Sequence, residues 1–432
     1  MELPVDCPRL LLPRLLNLRQ RFPATAAPTI RETLRRECAA TQVLTRIKPG
    51  ARVVIGVGSR GISHLSHFIS ELILLVKEAG AQPFLIPAMG SHGGGTPEGQ
   101  LDILAGYGIT EETMGVPIRA SMDTTQIGTT EDGLPVYFSR EALKADAVLV
   151  FNRVKPHTDF TGSIGSGIMK MLAIGFAKRT GATVCHAAAA RLGHERVIRT
   201  AARTILAAVP VLCGVAVLEN QVHETARIAV VKPQDFEERD GALLAEAKRL
   251  MPRLPFDDID LLIVDELGKN ISGTGMDTNV INRGCQGYTS SLVDLGDRSV
   301  PATHIRRLFL RGLTAETHGN AVGIGLADFT TTRLVKEMNR QATYLNSLTA
   351  LTPQLSKIPI YFDTDREAIM RALATLALED SRTARIVRIK DTLSLSRMQI
   401  SEACVKDVAG RTELEADETA TEMAFDGAGN LT

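Results

Sequence analysis

Histidine, lysine and glycine are concentrated between Asn152 and His186, in the run NRVKPHTDFTGSIGSGIMKMLAIGFAKRTGATVCH. Imidazole takes up and releases protons near neutrality, and a desolvated lysine amine is a nucleophile. Glycines let backbone amides approach an anion closely. His157, Lys170 and His186 are therefore the candidate reactive positions. Gly162, Gly165 and Gly167, with Ser166 between the last two, form a loop whose free N–H groups are expected to cradle a phosphate. The plainer reading is a glycine-rich surface loop with two incidental histidines.

The elements around this run must aim it. Residues 145–151 are apolar and read as a buried strand that delivers His157 at its carboxyl end. Lys170 follows the glycines at the loop's exit, and His186, beside Cys185, opens an Ala-rich helix. Upstream, the β-branched run RVVIGV at 52–57 reads as a strand covered on both faces. It leads into the turn GSRG at 58–61, which carries Ser59 and Arg60. Ser63 is the expected N-cap of a helix running to about Glu78, on which His64 and His67 ride as surface histidines. A second strand at 83–87 enters AMGSHGGGTPEGQ, where His92 lies in the turn and Thr96 with Pro97 begins another helix. Strand, glycine turn, helix, twice over, is the pattern of a doubly wound sheet, whose ligands lie beyond the carboxyl ends of the strands. Arg60, His92 and His157 are thus expected along one sheet edge.

Residues 116–138 read as short strands with a hairpin at 131–133. Strands at 211–218 and 228–231 and a helix at 234–250 follow, and Pro252 and Pro255 mark the expected boundary. A second unit opens with a strand at 259–264 and a polar glycine loop carrying Lys269, Asn270, Asp277, Asn279 and Arg283. Helices at about 329–350 and 365–379 flank a strand at 358–362. The expected architecture is two-domain α/β: a larger N-terminal Rossmann-like sheet over 1–254, a smaller α/β domain over 255–410 with the active site in the cleft between them, and a frayed acidic tail from 411 to 432.

Composition narrows the classes. Lys plus Arg and Asp plus Glu each total 49 in 432 residues, so no net charge favours a nucleic-acid partner. Trp is absent and aromatics are 4%, which removes base-stacking platforms. The six cysteines (7, 38, 185, 213, 285 and 404) show no CxxC spacing, which points to a reducing compartment, the cytoplasm, and away from a structural zinc site. The start is a poor secretory signal. No apolar run approaches the roughly 18 to 20 residues that span a bilayer.

Taken in order, GSRG at 58–61, MGSH at 89–92, KPH at 155–157, SGIMK at 166–170 and His186 resemble the nickel-pincer-nucleotide lactate racemase superfamily. The resemblance covers about 50–190 and extends more loosely beyond. It implies an isomerase that racemises or epimerises a 2-hydroxy acid by hydride transfer through a transient 2-keto acid. Lys170 is implied as the tether of the pyridinium mononucleotide and His186 as its nickel ligand. Gly165, Ser166, Gly167 and Ser59 would hold the cofactor, and His92 and His157 would be the acid/base pair. Arg60 is a candidate for the substrate carboxylate or the cofactor phosphate and Lys269 for the carboxylate, and His194 is expected to be a bystander. The implied partners are the 2-hydroxy acid and the enzymes that build the cofactor. Val57, Gly61 and Gly93 depart from the family pattern on the substrate side, which points to an acid larger or more polar than lactate, such as a sugar acid. Two other classes stay open: a zinc hydrolase using His92, His157 and His186, and a non-catalytic nucleotide-binding protein.

Overall fold

The computed structural model of the protein describes residues 10–23, 29–59, 61–158, 160, 162–284 and 303–432. The described residues from 29 to 157 and from 162 to 251 form one compact unit. Residues 10–23, 158, 160 and those from 252 onward form the other.

Strand β1 (Leu15–Gln20) alternates buried and exposed positions through most of its length and belongs to the second unit. It was expected to lie with the N-terminal domain. Its hydrogen-bonding partners are β14 (Arg397–Ser401) and β15 (Leu414–Ala416), both antiparallel to it. Six residues with one apolar face carry no sign of which distant sheet will cover them.

The sheet of the first unit contains β2 (Arg52–Val57), β3 (Gln82–Pro87), β6 (Ala147–Arg153), β7 (Val211–Glu219) and β8 (Thr225–Val231). Its order is β3-β2-β6-β7-β8, parallel except for the β7–β8 pair. Strands β4 (Thr124–Thr129) and β5 (Pro135–Ser139) make a separate hairpin. Helix α1 (Ile30–Thr41) and helix α2 (Leu65–Glu78) bury apolar faces in one core with β2, β6 and β7. Phe68 of α2 meets Phe151 of β6 with ring centroids 5.4 Å apart. Truncating a fully buried ring such as Phe68 to alanine costs about 3–5 kcal/mol. Gly56 in β2 is required by packing, because a Cβ there would come within 2.2 Å of the Phe176 ring.

Helix α2 does not begin on a Ser63 cap. His64 occupies the N-cap with φ 59°, and the Ser63 amide instead donates to Glu219 Oε1 at 2.8 Å. Glu219 also pairs with Arg153, so the carboxyl ends of β6 and β7 anchor this helix start. Helix α3 (Pro97–Gly106) begins as expected, with the Thr96 side chain accepting from the Gly99 amide.

The second unit holds an eight-stranded sheet among the described residues, wider than the first, in the order β12-β11-β10-β9-β13-β14-β1-β15. Strands β9 (Asp258–Leu267), β10 (His304–Leu313), β11 (Phe329–Thr331), β12 (Ile360–Phe362) and β13 (Ile386–Ile389) are parallel, and the remainder antiparallel. The long helix expected over 329–350 is instead β11 followed by two helices, with Thr331 capping Thr332–Glu337 and Asn339 capping Arg340–Thr349. The tail is not frayed. β15 pairs with β1, Leu431 is buried, and the Leu431 carbonyl accepts from Arg311.

No helix among the described residues is long and apolar enough to cross a membrane. Cys38, Cys185, Cys213 and Cys404 are buried free thiols.

Candidate active site

Strands β3, β2 and β6 lie side by side and run in one direction, so the turns that leave them emerge along one sheet edge. Ser59, in the turn after β2, hydrogen-bonds through Oγ to His92 Nδ1, in the turn after β3. Sequence assigned Ser59 to the cofactor, and the fold makes it a partner of His92. The Ser59 carbonyl accepts from the Tyr107 hydroxyl at 3.1 Å, which steadies the turn from the other side. Arg60 lies outside the described residues.

The His92 turn is built on close backbone contact. Gly93, Gly94 and Gly95 all have positive φ, and a Cβ on Gly93 would stand 2.6 Å from the Gly99 backbone. A side chain directly after His92 is therefore excluded by the turn itself, a physical reason for one departure noted in the sequence. Buried Gln100 closes the turn, its Nε2 donating to the carbonyls of Gly90 at 3.1 Å and His92 at 3.2 Å.

The loop after β6 is held in a different way from the one its glycines suggest. Lys155 and Ser166 exchange two backbone hydrogen bonds, and the Asn152 side chain donates to the Gly167 carbonyl at 2.9 Å. The amides of Ile168 and Met169 donate to the carboxylate of Asp240, which reaches over from helix α6. That helix spans Phe236–Leu250 when the helices of Lys178–Leu192 and His194–Ala208 are α4 and α5. The Ser163 amide donates to Glu195, itself tied to Arg199. Five amides of this segment are thus committed, two of them to Asp240, one to Glu195 and two in the Lys155–Ser166 bridge. An anion held by this loop would have to use its other amides, and the carboxylates of Asp240 and Glu195 would stand close to it. Gly165 and Gly167 serve packing. A Cβ at Gly165 would lie 2.8 Å from the Lys155 carbonyl, and one at Gly167 would lie 2.2 Å from Asp240 Oδ1. Asp240 was missed in the sequence, because nothing local distinguishes it from the other charges of its helix.

Lys170 ends the short helical turn Ile168–Lys170, and a π-helical segment, Met171–Gly175, follows at once. Such widened turns recur at functional sites. Its Nζ lies 2.5 Å from His157 Nε2. His157 is driven well below the ordinary imidazole value by burial first and by Lys170 second, with further contributions from His194, His186 and Lys155. His186, on α4, is lowered to about 4 by burial and by Lys170. His194 opens α5 after Gly193 and packs edge-on against His186, ring centroids 6.3 Å apart. It too is lowered to about 4, by burial, His186 and Lys170. His194 is therefore a member of the cluster. The fold brings His157, Lys170, His186 and His194 into one electrostatic neighbourhood, and holds His92 through Ser59.

This donor set fits one metal–ligand bond. An imidazole kept neutral offers the form that binds metal, and His186, partly buried, has it. Among the described residues no three His, Cys, Asp or Glu side chains gather around one ion position, so the three-histidine zinc arrangement finds no support. A cofactor that brings its remaining metal ligands with it would ask only one imidazole of the protein. Lys269, in the other compact unit, donates from Nζ to the Gly273 carbonyl at 2.5 Å within its own loop. His67, half-exposed, stands 3.4 Å from Glu71, in keeping with a surface position.

Residues 14–197 match the family model of the lactate racemase N-terminal domain. Among solved structures the chain is similar to a structural-genomics protein from Thermotoga maritima, at 15% identity and TM-score 0.47 over 78% of this chain and 84% of that one. It is also similar to the lactate racemase apoprotein from Thermoanaerobacterium thermosaccharolyticum, at 13% identity and TM-score 0.44 over 90% and 86%. No curated protein matches the chain.

Proposed function

We propose that this chain, whose residues 14–197 match the lactate racemase N-terminal domain, is a member of that superfamily and a racemase or epimerase of a 2-hydroxy acid that works with a nickel-pincer nucleotide. The observation that carries this reading is the contact of the Lys170 amine with the partly buried imidazole of His157, with the neutral imidazole of His186 in the same cluster. Lys170 would tether the nucleotide and His186 would ligate its nickel. Bound there, the group supplies a hydride acceptor and donor.

The chain's own residues supply the proton chemistry. A 2-hydroxy acid loses its hydroxyl proton as it is oxidised to a 2-keto acid and regains one on return, so each enantiomer needs a base on its own side. His157 is neutral at physiological pH and can accept that proton, and His92, oriented through Nδ1 by Ser59, is the second base. General acid–base help of this kind is worth roughly 10²- to 10⁴-fold. A substrate larger or more polar than lactate is favoured by Val57, Gly61 and the side-chain-excluding turn at Gly93. The buried free thiols suit a cytoplasmic setting, where the enzymes that build the cofactor would be partners.

The test is isotopic. Cofactor-loaded protein is incubated in ordinary water with a panel of C2-deuterated 2-hydroxy acids, and the inverted product is weighed. Retention of deuterium supports hydride transfer, and rapid exchange with solvent refutes it. Intact mass and metal analysis of the same sample should give one adduct, lost in Lys170→Ala, and nickel that is lost in His186→Ala.

A further inference from the structure

Lys178 is a lysine with no exposed surface. It is the first residue of α4, the helix that carries His186 about two turns later, and its φ of 55° is one that residues with a Cβ rarely adopt. Burying an ammonium group is unfavourable unless polar partners replace its water. Here Nζ donates to the Pro87 carbonyl at the end of β3 at 2.5 Å and to Gln100 Oε1 at 3.4 Å. Glu141 is the charged group that acts on it, from farther off. The partners are neutral oxygens, and an apolar side chain of similar length could fill the space, so packing does not account for the lysine.

Its placement does. Gln100 is also fully buried, and its two ends face different demands. The Nε2 group donates to the carbonyls of Gly90 and His92, while Oε1 accepts from Lys178. A side-chain amide can turn end for end, and a cation at one end permits only the orientation that presents the donor to the turn. Pro87, Gly90 and His92 are thereby gripped from one lysine, two of them through Gln100.

We propose that Lys178 is a positioning residue for His92, acting through the amide of Gln100 and coupling the His92 turn to the helix that carries His186. The claim deepens the reading of His92 as a base and in that respect rests on it. A second readout, the imidazole of His92 itself, does not depend on any activity.

The variants are Lys178→Met, Gln100→Leu and the double variant, with Gln100→Glu as a fourth. Nitrogen-15 NMR of the histidine side chains in the protein as isolated reports the tautomer and hydrogen bonding of His92. Lys178→Met and Gln100→Leu should each change the His92 signals while leaving His67 unmoved. Gln100→Glu keeps a partner for Lys178 and removes the donor to the two carbonyls, so it should change the His92 signals although the contact with Lys178 is retained. In loaded enzyme kcat should fall roughly 10- to 100-fold with little change in KM, the scale of a misplaced catalytic group. The double variant should be no worse than the worse single, because both act through one chain of contacts. A Lys178→Met protein with wild-type His92 signals overturns the proposal, as do losses that simply add in the double variant. Should Lys178→Met not fold, Gln100→Glu decides through its His92 signals. If wild-type protein proves inactive toward every 2-hydroxy acid, the NMR comparison still gives its answer.

Discussion

Lys170 Nζ and His157 Nε2 stand 2.5 Å apart, joined across the glycine loop that separates them in sequence. Two cations at that distance in a partly buried setting repel, so the imidazole is the partner that gives up its charge. Burial is the larger cause and Lys170 the second. Replacing Lys170 with alanine should therefore raise the His157 value while leaving it below that of an exposed histidine. An NMR pH titration of His157 in wild type and Lys170→Ala measures this, and an unmoved titration would show that the contact has no electrostatic weight.

Acid sensitivity follows from the same cluster. His186 and His194 are lowered from 6.5 to about 4 in the folded protein. The unfolded chain binds protons at these sites from pH 6.5 downward and the folded chain only near 4, so stability falls as pH drops through that window. The effect is at most about 3 kcal/mol for each group, at 1.36 kcal/mol per pKa unit. Urea midpoints at pH 7 and pH 5 should separate clearly in cofactor-free wild type and draw together in His194→Gln.

Lys178 predicts a change at the other end of the scale. Its folded value is lowered to about 8 from 10.5, chiefly by burial. Between those values the unfolded chain holds the proton more often than the folded one, so this group makes stability rise as pH increases from 8 to 10.5. Below pH 8 the buried cation costs about 3 kcal/mol by the same conversion. Lys178→Met should remove that slope and be as stable as wild type, or more so, at pH 7. A variant that loses stability at pH 7 and keeps the slope would contradict the assignment of the charge.

Asp240 holds the start of the Lys170 segment through the amides of Ile168 and Met169. Asp240→Ala leaves two buried donors unpaired, at roughly 1–3 kcal/mol each. Gly167→Ala should destabilise for a different reason, because its Cβ would press on Asp240 Oδ1. Since both act on one contact, the double variant should cost less than the sum, a comparison that chemical denaturation can make.

The strand–turn–helix order of β2, β3 and β6, the Thr96 cap and the presence of reactive residues at the turns were legible in the sequence, because hydrophobic period and cap chemistry are local properties. The same holds for Lys170, His157 and His186, whose residue types limit the chemistry before any contact is known. Long-range pairing was not legible. β1 finds its partners near the other end of the chain, and six residues with one apolar face cannot specify which sheet covers them. The polar bonds of the site were equally hidden. The glycine loop has the composition of an anion cradle, and nothing in that composition shows that Asp240 and Glu195, from helices downstream, accept from three of its amides. His194 meets His186 only because α4 and α5 pack together, and Lys178 is a buried cation only because β3 and Gln100 close over it. Residue type determined what each group could do, and burial, with the partners it brings, decided which of those capacities the fold uses.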